Sequence, residues 1–309
     1  MKINIRPAYI ISALVILLFS CNKEVKNFND IHFILEFDAD QIRLDNFGNP
    51  SVVAAGNAAQ TPGMNLMSVH YIEMIENEFI QFREGVILYT APQTDAGGDE
   101  AIDFDEAQIS GAGVDFVKIN LERLPAGTYK YIRVSVAYQN YDVQYNVNAI
   151  PGFGDLPDQT GTLASFIGYN TYIHDLTVKN LTTTINANKL QGFWAFETLF
   201  TDALAPYNEI YTGQSPAGAT TVVNPIDATS AVPEGSCVIT GAFAEPLIID
   251  GTETSELYIY LSFSINDSFE WIDINGNDKW DIDASVPENN EAVTDMGLRG
   301  LIPVWEWKE

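Results

Sequence analysis

Basic residues are scarce in this chain. Its 309 residues hold 15 Lys plus Arg against 42 Asp plus Glu, a net charge of -27. So acidic a surface repels nucleic acid and anionic headgroups, which excludes partners held by phosphate charge. It suits divalent cations, and it equally suits a protein that needs only solubility. Cysteine is scarcer still: Cys21 and Cys237 are the whole supply. The three histidines, His32, His70 and His174, show no His-x-His or His-x-x-x-His spacing, so no local transition-metal motif exists. No apolar run approaches the roughly 20 residues of a membrane-spanning helix. No amphipathic helical pattern exceeds two turns, no internal repeat occurs, and no Gly-rich phosphate loop leads into a helix.

What is present is apolar and aromatic, at 46% and 12% of the chain, enough for a globular protein with a real core. Ile31, Phe33, Leu35 and Phe37 recur at every second residue, the strand period. Similar strands are expected at 66–75, 85–89, 114–121, 129–145, 162–173, 177–185, 220–223, 236–243, 257–265 and 298–307. Leu124-Pro125-Ala126-Gly127-Thr128-Tyr129 turns the chain into the long Tyr- and Val-rich strand. Residues 207–219 read as a loop. Many short strands between Gly, Pro and Asn turns predict an all-β protein, an antiparallel sandwich of jelly-roll or immunoglobulin-like type. Residues 31–309 read as one large domain, with Pro151–Gly161 as the best internal boundary. Cys237 lies in an apolar run without a basic neighbour, which predicts a buried, inert thiol.

Residues 1–20 read as a secretory signal: Lys2 and Arg6 precede an apolar stretch from Ala8 to Phe19, about a dozen residues long. Leu18-Phe19-Ser20-Cys21 resembles the lipobox of bacterial lipoproteins. That resemblance implies cleavage before Cys21, a diacylglycerol on its thiol and a further acyl chain on its amine. Residues 21–30 then form a polar, lipidated tether. Asn22, where inner-membrane retention signals carry Asp, points to the outer membrane. Loss of Lys2 and Arg6 would lower Lys plus Arg from 15 to 13 and the side-chain charge from -27 to -29. Cys237 would have no intrachain partner.

The stretch with the most specific chemistry is Asp273-Ile274-Asn275-Gly276-Asn277-Asp278-Lys279-Trp280-Asp281-Ile282-Asp283. Side-chain oxygens at positions 1, 3, 5 and 9, with a main-chain carbonyl at 7, are the spacing by which a loop wraps calcium. The stretch resembles the loops of EF-hand and dockerin-like proteins. The resemblance implies Asp273, Asn275, Asn277 and Asp281 as ligands, with the Lys279 carbonyl. Position 6 is Asp278 rather than Gly, and position 12 is Ala284 rather than a bidentate Glu. Asp283, or a distant carboxylate such as Glu288 or Glu291, would have to supply the last ligand. Two Asn in place of Asp predict weak binding, about 10⁻⁴–10⁻³ M, as in extracellular modules. The alternative is an Asn/Gly/Asp turn that needs no ion.

Trp305 and Trp307 alternate on the last strand and point to one side, either as a stacking platform for a glycan or as a seal on the core. The first strand, the His70-Tyr71-Ile72 strand and the Pro-Ala-Gly-Thr-Tyr turn are similar to features of MbnP-like copper-associated lipoproteins over residues 31–200, within the wider Gram-negative β-sandwich surface lipoproteins. No Met/Trp/His cluster stands where copper would be carried, so that function is not transferred. The sequence thus predicts a lipid-anchored, non-enzymatic module that binds an envelope protein, glycan or small molecule and is braced by calcium. A hydrolase of glycans or other polymers is one alternative. A copper carrier is another, and would need His32, His70 and His174 to meet Met64, Met67 or Met74.

Overall fold

The computed structural model describes residues 29–45, 49–200, 207–215 and 237–309. Cys21, the apolar stretch before it and the strand expected at 220–223 lie outside them.

Among the described residues nineteen strands occur in chain order. The first seven are β1 (Asp30–Asp38), β2 (Asn57–Gln60), β3 (Gly63–Ile75), β4 (Val86–Thr90), β5 (Gln93–Thr94), β6 (Ala101–Asp103) and β7 (Asp115–Asn120). After a 3-10 turn at Leu121–Arg123 come β8 (Gly127–Ile150), β9 (Gly154–Phe166), β10 (Asn170–Thr177), β11 (Thr182–Leu190), β12 (Phe193–Phe200) and β13 (Tyr207–Gln214). The rest are β14 (Val238–Ile249), β15 (Glu256–Ser264), β16 (Phe269–Ile272), β17 (Asp281–Asp283), β18 (Val293–Asp295) and β19 (Leu301–Lys308).

The architecture is all-β and sandwich-like, as the sequence predicts. Its organising element is β8, 24 residues long. The eight-stranded sheet runs β13-β12-β9-β8-β3-β4, with β14 paired to the first half of β8 and β17 to its last residues. Two smaller sheets cover its inner face. One is β19-β15-β1-β7, in which β1 runs parallel to β15; the other is β18-β16-β2. A fourth sheet, β11-β10-β6-β5, packs on the outer face.

Alternation along β8 builds two cores from one strand. Ile132, Val134 and Val136 face Phe33, Leu35, Ile259 and Leu261 in the first core. The register with β3 then slips between Ser68 and Tyr71. Beyond that bulge Tyr141, Val143, Tyr145 and Val147 take the inward positions and meet Phe269, Trp271 and Trp280 in the second core. The opposite face of the strand carries Arg133, fully buried beside the fully buried Glu73 at 3.4 Å. Arg133 also donates to the carbonyls of Ile80 at 2.7 Å, Gln81 at 3.2 Å and Glu78 at 3.5 Å. Glu73 accepts from Gly85 N at 2.6 Å and from the Tyr71 hydroxyl. The pair therefore straps residues 76–85 across the outer face.

β8 and β9 pair on both sides of the turn at 151–153, from Tyr138 opposite Phe166 to Ile150 opposite Gly154, with register shifts on either side of Val147. Three expectations are corrected. The strand expected at 162–173 is broken at 167–169, and that at 177–185 at 178–181, where turns separate β9, β10 and β11. Residues 207–214, read as loop, are the edge strand β13, held by eight register positions on β12.

Replacing Arg133 with Met leaves Glu73 buried without its counter-charge and frees three carbonyls. Urea unfolding should show a loss of about 3–5 kcal/mol. Arg133→Met with Glu73→Gln should recover part of it, and an equal or larger loss in the double variant would exclude the ion pair as the cause.

Candidate calcium loop and the other predicted sites

Residues 273–280 form the loop between β16 and β17, at the far end of β8. Two tryptophans fix its ends. Trp271, 1% exposed, donates from its indole nitrogen to the Lys279 carbonyl at 3.1 Å. Trp280 donates likewise to the Glu291 carbonyl at 3.1 Å. Both rings lie in the second core, so the loop is hung from packed side chains. Gly276 at φ 72° and Asp278 at φ 57° supply its left-handed turns. An Asp tolerates that region better than most residues, which is how the chain manages without the expected Gly at position 6.

The oxygens at positions 1, 3 and 5 each close a local turn. Asp273 Oδ1 accepts from Gly276 N at 2.7 Å, Asn275 Oδ1 from Asn277 N at 3.0 Å, and Asn277 Oδ1 from Lys279 N at 2.8 Å. The two carboxamides then converge on Asp281 Oδ2, Asn277 Nδ2 at 3.0 Å and Asn275 Nδ2 in a short contact. Asp281 is 5% exposed, and its other oxygen accepts Asn146 Nδ2 at 2.9 Å and Asn148 Nδ2 at 3.1 Å from β8. Glu291, 4% exposed, closes the loop: its oxygens accept Ile274 N at 2.8 Å and Asp281 N at 2.9 Å.

The electrostatics are those of a crowded acidic site. Burial first, and the nearby charges of Asp281 and Asp273 after it, push the Glu291 carboxyl above its ordinary range against the pull of its two N–H donors. Burial also acts to raise Asp273, but backbone N–H donors led by Asp278 and Gly276 outweigh it and hold that group low. Of the five donors expected from the sequence, Asn275 and Asn277 meet Asp281 at the start of β17, while Asp273 accepts backbone N–H groups of its own turn and the Lys279 carbonyl accepts the Trp271 indole. Asp283 does not join them. Its carboxylate accepts from Ser285 N, Val286 N and Asn289 Nδ2 in the following turn and is lowered to about 2 by those bonds. Of the distant carboxylates, Glu291 is the one that bonds to this loop, through Ile274 N and Asp281 N. Glu288 stays exposed. Asn146 and Asn148 escape sequence reasoning, since nothing local marks them; their only signal is that they alternate on one face of a strand.

The other candidates are held apart. Buried His32 stacks on Tyr258 at 4.2 Å between Asp115 and Glu256. His70 meets Gln93 and Tyr169, and exposed His174 meets Asp175. Met67 and Met74 are in the first core. Among the described residues no three His, Cys, Asp or Glu side chains gather as a metal site; the loop's donors are instead a mixture of carboxylates, carboxamides and a carbonyl. Trp305 and Trp307 stand opposite Ile259 and Leu257 and pack on the first core, so they seal the sandwich. Cys237 lies 3.2 Å from Ser135 Oγ, and burial raises its thiol, consistent with an inert side chain. Comparison of the chain with protein-family models, curated proteins and solved structures finds no match.

The raised Glu291 carboxyl gives a pH signature. Between its unfolded and folded pKa the folded state binds more protons, so stability without calcium should fall as pH rises through that window. Glu291→Gln should flatten this segment of the profile in pH-dependent urea unfolding. A profile identical to that of the unsubstituted protein would refute the assignment.

Proposed function

We propose that this chain is a lipid-anchored protein of the cell envelope, held through Cys21 at the outer membrane, and that it acts as a non-enzymatic binding module for an envelope protein, glycan or small molecule, braced by one calcium ion. The observation that carries the calcium reading is the convergence of Asn275 and Asn277 on Asp281, beside a buried Glu291 that bonds to both ends of the loop. In an ion-bound loop the two carboxamides turn their oxygens to the cation and release Asp281 Oδ2 to it. Oxygen donors of this kind select a hard divalent ion, and the low ligand charge keeps affinity modest. The anchor reading is supported by the lipobox-like residues Leu18 to Cys21.

A hydrolase is disfavoured by the use already made of the buried acids. Glu73 is held by Arg133, Glu270 by Arg43, and Asp295 by Arg299. Glu197 accepts the N–H groups of Lys179, Asn180 and Leu181, while Asp281 and Glu291 belong to the loop. A general acid with a raised pKa needs a group free to donate its proton. A copper carrier is disfavoured because the three histidines keep separate partners.

Calcium at millimolar concentration should raise the melting temperature of the chelator-treated protein, and Asp281→Ala should abolish the rise. A melting temperature indifferent to calcium in both would remove the site. Independently, Cys21→Ala should leave an unprocessed precursor without acyl mass; processing unchanged by that substitution would remove the anchor.

A further inference from the structure

One end of the molecule is defined by two connections that cross between the layers. Residues 121–126 lead from β7 to β8, and residues 250–255 lead from β14 to β15. Asn29, where the described chain begins, is tied to both: its carbonyl accepts Leu121 N at 2.9 Å, and its Nδ2 donates to the Glu253 carbonyl at 3.1 Å. The strap 76–85 leaves β3 at this same end, since a Cβ on Gly127 would lie 3.1 Å from the Glu76 carboxylate, and then runs along the outer face over Arg133 to Phe82, which rests on Tyr71 opposite Ser135.

The strap presents apolar rings to solvent. Phe79 is 65% exposed and Phe82 is 44% exposed, the latter resting edge-on against Tyr71 at 5.4 Å. Three of the strap's carbonyls are fixed by Arg133, whose burial is costly to solvation. A rigid backbone is thus built under side chains that add nothing to either core.

Cys21 stands eight residues before Asn29. An extended chain covers at most about 3.6 Å per residue, so a lipid on Cys21 keeps Asn29 within roughly 30 Å of the bilayer. We propose that Phe79 and Phe82 seat in the interface of the bilayer that carries this lipid, so that the protein rests on the membrane by its strap. The inference depends on the anchor reading. Exposed Arg83 adjoins the rings in the strap, but so do Glu76, Glu78 and Glu84, so the attraction is apolar and the surface it fits is zwitterionic. The loop at 273–280 stands more than ten residues farther along β8, where β17 pairs with Asn146–Asn148, and so lies outside the seated patch.

The test uses the full chain, purified with its lipid and reconstituted in phosphatidylcholine vesicles that contain brominated acyl chains. Emission added by Phe79→Trp should be quenched at least twofold relative to the same variant in unbrominated vesicles. Emission added by Ile274→Trp, at the far loop, should be unchanged. Acylated Cys21 by mass spectrometry with no quenching at position 79 would overturn the seating and leave the anchor standing. Absence of acyl mass on Cys21 would overturn both.

Discussion

Everything in this fold depends on one strand being shared by two cores. Where the polypeptide would otherwise need a disulfide or a helix to join its halves, β8 carries hydrogen bonds and inward side chains through both. Its first half closes the Phe33, Leu35, Ile259 and Leu261 core, and its second half closes the Phe269, Trp271 and Trp280 core. The bulge opposite Ser68–Tyr71 keeps the apolar parity inward across the change of partner sheet. The burial of apolar surface on one continuous face supplies the cohesion between the halves.

The polar chemistry is arranged around that strand. On its outer face Arg133 and Glu73 fix the strap, and at its end Asn146 and Asn148 orient Asp281. Arg43, Glu270, Asp295 and Arg299 form a further buried ionic group that joins the segment after β1 to β16 and β18. Burial and the neighbouring Arg43 lower the Arg299 guanidinium to about 10. Charges buried in this way favour a single arrangement of the sheets they connect more than they add net stability.

The fold class was legible because β15 buries every second residue and β1 carries Ile31, Phe33 and Leu35, all fully buried, at the same period. β13 was not, because Tyr207-Asn208-Glu209-Ile210-Tyr211-Thr212 has no apolar parity and is a strand only by pairing with β12. Residues 151–161 are ambiguous in sequence for a related reason: Pro, Gly and Asp mark turns, and a hairpin tip holds as many as a linker. The oxygen-bearing residues of the 273–281 loop were legible from spacing. Glu291 stood beside Glu288 as a distant alternative to Asp283, and its approach to the loop is set by tertiary contacts, the Trp280 indole on its carbonyl and Asp281 N on its carboxylate. The alternation of Trp305 and Trp307 was legible too, but which side faces the core is decided by their register with β15.

The central claim is that the loop closed by Glu291 is a cation site, and a crystal grown or soaked in millimolar calcium tests it most directly. The account predicts one ion at about 2.3–2.6 Å from oxygens of Asp273, Asn275, Asn277, Asp281 and the Lys279 carbonyl, with both carboxamides turned. A loop that keeps Asn275 and Asn277 bonded through nitrogen to Asp281, with no ion among them, would contradict it.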